Sequence, residues 1–303
     1  MITMRLILPP TDRTQLFGTR ATRTIEQRST GELAAHTLMR RAGEAVARLA
    51  LALAPHARCV WIAAGPGNNG GDGLEAAAQL QQRGKQVRVT LAADLNQLPG
   101  DASDALARAQ AAGVTIDAAG WPELDPQDIA IDALLGIGAS RAPQGPLAAL
   151  VAHLNALPCA VLAVDLPSGL NADTGQATGD CCVVAQHTLS LLTLKPGLFT
   201  GAGRDHAGTV WLDTLGVHAD DDAPDAWLAG RQDLEAMPPR RRHAQHKGSF
   251  GDVAVIGGAP GMTGAALLAA RAAHAAGAGR VFVNALDKGA MTHDLLRPEL
   301  MFR

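Results

Sequence analysis

Hydrophobic and polar positions follow two alternating periodicities along most of the chain. Apolar runs with the length of a buried strand occur at 57–64, 86–91, 129–131, 159–164, 187–192 and 209–212. Apolar residues at helical spacing predict helices over 24–54, 74–83, 102–112 and 146–157. Strands that alternate with helices predict right-handed crossovers and a mostly parallel sheet covered by helices on both faces.

Local signals place several of the predicted helix boundaries. Ser29-x-x-Glu32 has the pattern of a capping box at a helix start, and Pro55 ends the first helical stretch. Gly113 is a typical C-terminal stop, and Pro146 is a typical first residue of a helix.

A glycine-rich stretch, Gly65 to Gly73, joins the first long apolar run to the helix that follows it. A strand, a glycine loop and a helix N-terminus together form a common anion site, because free backbone N–H groups and the helix dipole meet there. The stretch matches the dinucleotide fingerprint G-x-G-x-x-G. However, Asn68 and Asn69 add amides where a pyrophosphate needs bare backbone, and Asp72 would repel a phosphate. A redox Rossmann site and a simple tight turn both remain open from this loop alone.

Polar residues follow three of the predicted strands directly. They are the Asn68 to Asp72 loop, Asp132, and the Asp165-Leu-Pro-Ser168 segment. Carboxyl ends of parallel strands meet at one edge of a sheet, where such folds bind ligands. Asn69, Asp132 and Ser168 offer only oxygen ligands, which suit a hard cation. Asp165 is then a candidate acid or base beside them.

Composition excludes several classes of protein. The chain has 303 residues, 47% of them hydrophobic, and a net charge of −3 without a basic stripe, which argues against nucleic acid as a partner. No apolar run reaches the length of a membrane span, and the N-terminal apolar patch is too short for a signal peptide. The four cysteines form no C-x-x-C pair, so we interpret them as reduced thiols of a cytoplasmic protein.

The composition changes near residue 219. Three consecutive aspartates begin at Asp220, and a stiff basic segment, 238–242, follows. We therefore predict a linker over 219–245, since charge runs are usually solvated. Residues 246–303 then contain a second strand–glycine loop–helix–strand pattern, too short to bury both faces of its own sheet.

Three motifs resemble one known family, the NAD(P)H-hydrate epimerases. They are GPGNNGGDG at 65–73, DALLGIG at 132–138 and VDLPSGLNADTG at 164–175, and the segment 193–198 fits the same pattern. The resemblance covers roughly residues 15 to 218. From Lys247 the chain resembles the start of the ADP-dependent NAD(P)H-hydrate dehydratases.

The resemblance implies a Rossmann-like, three-layer α/β domain over 1–218 and an incomplete, ribokinase-like α/β fragment over 246–303. It implies interconversion of the R and S forms of NADH or NADPH hydrated at nicotinamide C6, with Asp165 as the catalytic residue. A potassium ion would be held by Asn69, Asp132 and Ser168. Substrate would contact Asn68, Asn69, Gly70, Gly71, Asp72, Gly136, Ile137, Gly138, Ala139, Ser140, Arg141, Ala142, Asp165 and Ala265. We further expect a homodimer or higher homo-oligomer, and no dehydratase activity from the shortened second domain.

Two other classes of function remain open at this stage. One is a non-catalytic module of the same fold that binds metabolites or partners, although such a module has no need of Asp132 and Asp165. The other is an NAD(P)-dependent oxidoreductase, for which Asp94 is a candidate ribose ligand but no hydride-transfer residue can be identified.

Overall fold

A computed structural model describes residues 4–8, 10, 12–139, 141–219, 222–235, 242–287, 289 and 292–303. The chain divides into two compact units, residues 1–236 and residues 237–303, and each is described by itself. No helix within these ranges combines the length and the apolar character needed to cross a membrane.

The first unit is built on an eight-stranded sheet. The strands of this unit, which include two outside the large sheet, are in chain order β1 (Arg5–Leu6), β2 (Thr14–Leu16), β3 (Cys59–Ala64), β4 (Gln86–Leu91), β5 (Thr115–Asp117), β6 (Ile129–Ala133), β7 (Ala160–Val164), β8 (His187–Leu191), β9 (Thr209–Asp213) and β10 (Ala226–Leu228). The sheet has the order β1-β9-β8-β7-β6-β3-β4-β5, and every pair is parallel except β1 with β9. Strands β2 and β10 form a separate antiparallel pair.

Helices cover both faces of this sheet, as the sequence predicts. They are α1 (Thr19–Glu32), α2 (Thr37–Leu53), α3 (Asn68–Gln82), α4 (Gly100–Ala111), α5 (Pro146–Asn155), α6 (Gly203–Ala207) and α7 (Arg231–Glu235). Val60 and Ile62 of β3 share a core with α2, α3 and α4, whereas the alternate residues Trp61 and Ala63 pack with α5. The three-layer α/β prediction is confirmed.

The order of the strands reverses beside β3. The chain passes from β3 to β4 on one side, and then returns to place β6 on the other side of β3. Such a topological switch point opens a crevice at the carboxyl ends of the two central strands. The ends of β3, β6 and β7 therefore meet at one place, and each is followed by one of the polar segments singled out above.

The single helix predicted over 24–54 is in fact two helices. Helix α1 ends at Glu32, Leu33 is extended, and His36 has a left-handed φ of 62° immediately before α2. Ser29 starts no helix, because it lies inside α1 and its hydroxyl donates to the carbonyl oxygen of Ile25 at 2.8 Å. The break turns α1 away from α2 and brings both helices to the crevice.

Part of the segment predicted as a linker, 219–245, folds with the first unit. Strand β10 pairs with β2, and the carboxylate of Asp225 accepts a hydrogen bond from the N–H of Gly18 at 2.7 Å, where α1 begins. The segment around Asp225 therefore contributes to the first unit, because this carboxylate satisfies a helix N-terminus that has no side-chain cap of its own. Residues 238–241 of the basic segment lie outside the described residues.

The second unit is small. Three parallel strands, β11 (Asp252–Gly257), β12 (Arg280–Ala285) and β13 (Met301–Phe302), pack with helix α8 (Thr263–Ala275). Its core consists of Ala266, Ala270, Val281, Val283 and Leu300. Large apolar side chains remain exposed, including Ile256 on β11 and Leu268 on α8, as a short strand–helix–strand pattern predicts.

Candidate functional site

A cavity of about 460 Å³ occupies the crevice at the switch point. Its walls come from α1, α2, the start of α3, the loop after β6, the tip of β7 and the segment after β8. The polar or charged side chains in these walls are Thr22, Arg23, Glu26, Thr30, Asn68, Asn69, Asp72, Asp101, Asp165 and Lys195. This density of charge, four acids and a buried lysine among them, is typical of a site that moves protons.

The glycine-rich stretch is helical earlier than the sequence predicts. Helix α3 begins at Asn68, and Gly67 is its N-cap. A Cβ on Gly70 would overlap the carbonyl oxygen of Gly65, and a Cβ on Gly71 would lie 2.6 Å from Cε of Met39. These two glycines therefore permit close packing of α3, whereas a Cβ on Gly67, which faces the cavity, would meet nothing within 4 Å.

Asp165 and Lys195 form a buried ion pair at the cavity floor. Nζ of Lys195 donates to Oδ1 of Asp165 and to the carbonyl oxygen of Leu191, the latter at 2.7 Å. Lys195 is only 1% exposed, and the same carboxylate oxygen also accepts from the N–H of Leu191 at 3.2 Å. Asp165 has a left-handed φ of 67°, which turns its side chain out of the strand direction.

Asp132 and Ser168 are joined beneath the cavity, and both are fully buried. The Ser168 hydroxyl donates to Oδ1 of Asp132 at 2.6 Å, and the Ser168 N–H donates to Oδ2 at 2.8 Å. Burial raises the pKa of Asp132 to about 6, although the hydrogen bonds from Ser168 and from the Leu134 N–H favour its ionised form. No cationic side chain in the described part of the chain forms an ion pair with this carboxylate.

Asn69 faces the cavity from the first turn of α3. Its carboxamide lies about 3.3 Å from the position that a Cβ on Gly136 would take, and its Nδ2 is buried without a hydrogen-bond partner in the described structure. Since a half-turn of the amide exchanges Nδ2 and Oδ1, this position can present an oxygen. The buried carboxylate of Asp132, which has no cationic partner, and the amide of Asn69, which has no hydrogen-bond partner, fit a monovalent cation. Over the described ranges, no group of three His, Cys, Asp or Glu side chains is arranged to hold a metal ion.

Three further carboxylates, Glu26, Asp72 and Asp101, share the cavity with Asp165. Burial and the charges of Asp165 and Glu26 raise the pKa of Asp72 well above its usual range. Burial and the charge of Asp165 also raise the pKa of Glu26, an effect that Lys195 and Arg23 oppose. The cavity therefore contains carboxylates in different protonation environments.

The structure brings most of the predicted site residues together. The cavity is lined by Asn68, Asn69, Asp72, Gly136, Ile137, Gly138, Ala139 and Asp165. Gly70 and Gly71 are buried in packing, and Arg141 and Ala142 are not among the residues that line this cavity. Ser140 lies outside the described residues, and Ala265 lies on α8 of the second unit. The predicted contacts of all these residues with substrate remain predictions.

Four charged residues of the cavity, Arg23, Glu26, Asp101 and Lys195, were not predicted from sequence. Lys195 lies in a recognised motif, but only its burial beside Asp165 indicates a role. Arg23 and Glu26 belong to α1, whose charged face is ordinary for a surface helix. Nη2 of Arg23 lies 3.5 Å from the position of a Cβ on Gly138, so Arg23 is a cation beside the loop that contains the predicted substrate contacts 136–142.

Comparison with known proteins identifies the fold and its family. Residues 35–197 match the family described as "YjeF-related protein N-terminus". The chain belongs to this family. The matched range runs from the start of α2 through Lys195, and so includes every strand tip of the candidate site, whereas Arg23 and Glu26 precede it.

Curated relatives of this YjeF-related chain carry one description. The chain is 39% identical over 282 residues to the Bifunctional NAD(P)H-hydrate repair enzyme Nnr of Escherichia coli, covering 89% of this chain and 52% of the relative. It is 36% identical over 292 residues to the protein of the same name from Coxiella burnetii, covering 95% of this chain and 60% of the relative. The chain thus spans about half the length of the curated relatives it matches.

A solved structure supports the fold. The crystal structure of yeast ynu0 matches with a TM-score of 0.55 and 23% sequence identity, over 60% of this chain and 82% of that chain. At this identity the likeness concerns the fold alone, and it agrees with the three-layer arrangement of the first unit.

Proposed function

We propose that the first unit is an NAD(P)H-hydrate epimerase, which interconverts the R and S forms of hydrated NADH and NADPH. The observation that carries the proposal is the Asp165–Lys195 pair, which faces a polar cavity at the switch point of a YjeF-related domain. The names of the relatives supply the substrate class, and a nucleotide fits a site where a helix N-terminus meets the strand tips.

Inversion at C6 requires a bond to carbon to open and to close again on the other face. Asp165 is the candidate proton acceptor for the C6 hydroxyl, because its carboxylate faces the cavity and is held in position by Lys195 and by the Leu191 N–H. Arg23 and the N–H groups at the start of α3 are available for the negative charge of the substrate. The walls from α1 and α2 would exclude water from the reacting ring.

A potassium ion is part of the proposal. Asn69, Asp132 and Ser168 would hold it, because Asp132 is a buried carboxylate without a cationic partner and Asn69 has an unpaired amide. The chemistry that a bound cation supplies is a fixed positive charge near the strand tips. The hydrogen bonds between Asp132 and Ser168 orient both ligands.

The direct test uses a mixture of R and S hydrates with an S-specific dehydratase. The wild-type chain is expected to accelerate the consumption of the R form, which the dehydratase alone cannot use. Asp165→Asn keeps an oxygen acceptor but loses the proton acceptor, so we expect a loss of about 10²–10⁴-fold in rate. Asp94→Asn is the matched control, since Asp94 follows β4 but does not line the cavity.

Two results would contradict the proposal. A wild-type chain that leaves the R form at its spontaneous rate is not an epimerase. A folded Asp165→Asn protein with normal turnover would remove Asp165 from the mechanism.

A further inference from the structure

Four carboxylates line the cavity, each from a different element. Glu26 comes from α1, Asp72 from α3, Asp101 from α4 and Asp165 from the tip of β7. Among the described residues, two cationic side chains, Arg23 and Lys195, line the same cavity. Lys195 already forms an ion pair with Asp165 and donates a hydrogen bond to the carbonyl oxygen of Leu191. The cavity therefore holds more acidic than basic side chains, and at least one carboxylate lacks a charge partner.

Asp72 is one such carboxylate. Unlike those of Asp165 and Asp101, its side chain makes no hydrogen bond or ion pair with any residue that the structure describes, and it lines the same cavity. The charged groups that act on it are Glu26 from α1, Asp165 from β7, Asp101 from α4 and Glu75 from its own helix.

All four neighbours are acids, so Asp72 has no local support for a negative charge. Burial and these four carboxylates act in the same direction on its pKa. Glu26 differs, because Lys195 and Arg23 oppose the effects of burial and of Asp165 on it. Asp72 therefore has a stronger tendency than Glu26 to hold a proton.

We propose that Asp72 is the general acid of the epimerase, complementary to Asp165 as base, and that Glu26 is a positioning residue that keeps Asp72 protonated. This inference rests on the function proposed above. Two carboxyl groups whose environments separate their protonation states form a general acid–base pair.

Asp165 and Asp72 together accept and supply the protons that ring opening requires. Asp165 takes the proton of the C6 hydroxyl, the O–H electron pair forms the C6=O bond, and the C6–N1 pair moves to N1. N1 takes the proton of Asp72, which leaves an open-chain aldehyde, a protonated Asp165 and an ionised Asp72. After rotation about C5–C6, N1 attacks the other face of the aldehyde and returns its proton to Asp72, while Asp165 returns its proton to oxygen. No oxidant, reductant or other reactant is needed.

The first measurement is the pH profile of R-form consumption for the wild type, Asp72→Asn, Glu26→Gln and a control, Glu44→Gln. Glu44 is exposed on α2 and does not line the cavity. Asp72→Asn is expected to lower kcat by about 10²–10⁴-fold. Glu26→Gln removes a negative neighbour, so the alkaline limb of the profile is expected to move to lower pH by about half a unit or more. Glu44→Gln should leave the profile unchanged.

The second measurement is independent of turnover. Carbon NMR of the protein with labelled aspartate carboxyl groups follows the Asp72 resonance, identified as the signal missing from Asp72→Asn. We expect Asp72 to titrate well above about pH 3.9, the value for an ordinary aspartate, and Glu26→Gln to lower the midpoint. A purely structural role of Glu26 would not move this midpoint.

The outcomes separate this inference from the proposed function. An inactive wild-type chain overturns the epimerase function itself. An active wild type together with a normal rate in Asp72→Asn, or with an Asp72 that titrates like an ordinary aspartate, overturns the assignment of Asp72 alone. A normal alkaline limb in Glu26→Gln overturns the role of Glu26.

Discussion

Replacing Lys195 by methionine tests whether Lys195 and Asp165, the ion pair at the cavity floor, stabilise the fold through their interaction with each other. Methionine keeps an unbranched side chain of similar length, so the volume of the site changes little. The substitution removes the donor to Oδ1 of Asp165 and to the Leu191 carbonyl oxygen. The carboxylate of Asp165 then stays buried with one described hydrogen bond, from the Leu191 N–H.

The magnitude follows from the burial of the pair. Side-chain exposure is 1% for Lys195 and 12% for Asp165, so solvent cannot replace the lost partner. Removing one member of such a buried pair costs about 3–5 kcal/mol in the free energy of unfolding. Asp165→Asn costs less, about 1–3 kcal/mol, because the amide oxygen can still accept from Lys195. Asparagine also tolerates the left-handed backbone at this position.

The double variant, Asp165→Asn with Lys195→Met, removes both charges. We expect it to be no less stable than Lys195→Met alone, which corresponds to a coupling energy of about 2 kcal/mol or more. The assay is urea unfolding followed by tryptophan fluorescence. All four tryptophans, Trp61, Trp121, Trp211 and Trp227, lie in the first unit, so the signal does not report the second unit.

Additive free energies in the three variants would refute this reasoning. Additivity would mean that Lys195 and Asp165 contribute independently, and that no buried charge is left without a partner when either is removed. A changed denaturant slope would be a different result, since it reports a change in exposed surface rather than in the pair.

Three further predictions concern substrate, packing and cation. Arg23→Ala is expected to raise the KM for the hydrates about tenfold, because about 1.5 kcal/mol of charged hydrogen bonding is lost. Arg141→Ala is expected to change the KM less than twofold, and initial rates measure both values. Gly70→Ala is expected to destabilise the first unit by about 1–3 kcal/mol because its Cβ meets backbone, whereas Gly67→Ala should be tolerated in urea unfolding. The unfolding temperature should be higher in potassium chloride than in tetramethylammonium chloride. At a potassium concentration a hundredfold above Kd the difference corresponds to about 2.7 kcal/mol, and Asp132→Asn should abolish it.

The parallel sheet was predictable because its strands are buried on both faces. Such strands appear in the sequence as short, continuous apolar runs, and the run at 86–91 matches β4 without a shift in either boundary. The alternation of strands and helices then fixes the direction of the crossovers. For the same reason the three polar strand tips could be assigned to one edge before any distance was known.

Glycine and charge patterns were less informative, because each has more than one physical cause. Gly70 and Gly71 are predicted from sequence as ligand-binding residues, and the structure shows a second reason for glycine there, the close approach of α3 to the Gly65 backbone and to Met39. The acidic stretch before residue 226 looks solvated, but Asp225 satisfies the start of α1 from about two hundred residues away. A composition signal cannot distinguish a solvated carboxylate from one that accepts a buried N–H.

The protonation of the site depends on information that no local pattern contains. Asp72, Asp165 and Glu26 are far apart along the chain, and each alone is an ordinary acid after a glycine loop, after a strand or on a helix. The pKa values of Asp72 and Glu26 are raised because α1 lies beside the strand tips, where burial and neighbouring carboxylates act on both residues, while Lys195 forms an ion pair with Asp165. The residue types at the strand tips can be read from the motifs. Which carboxyl group acts as acid and which as base depends on the packing of α1 against the strand tips.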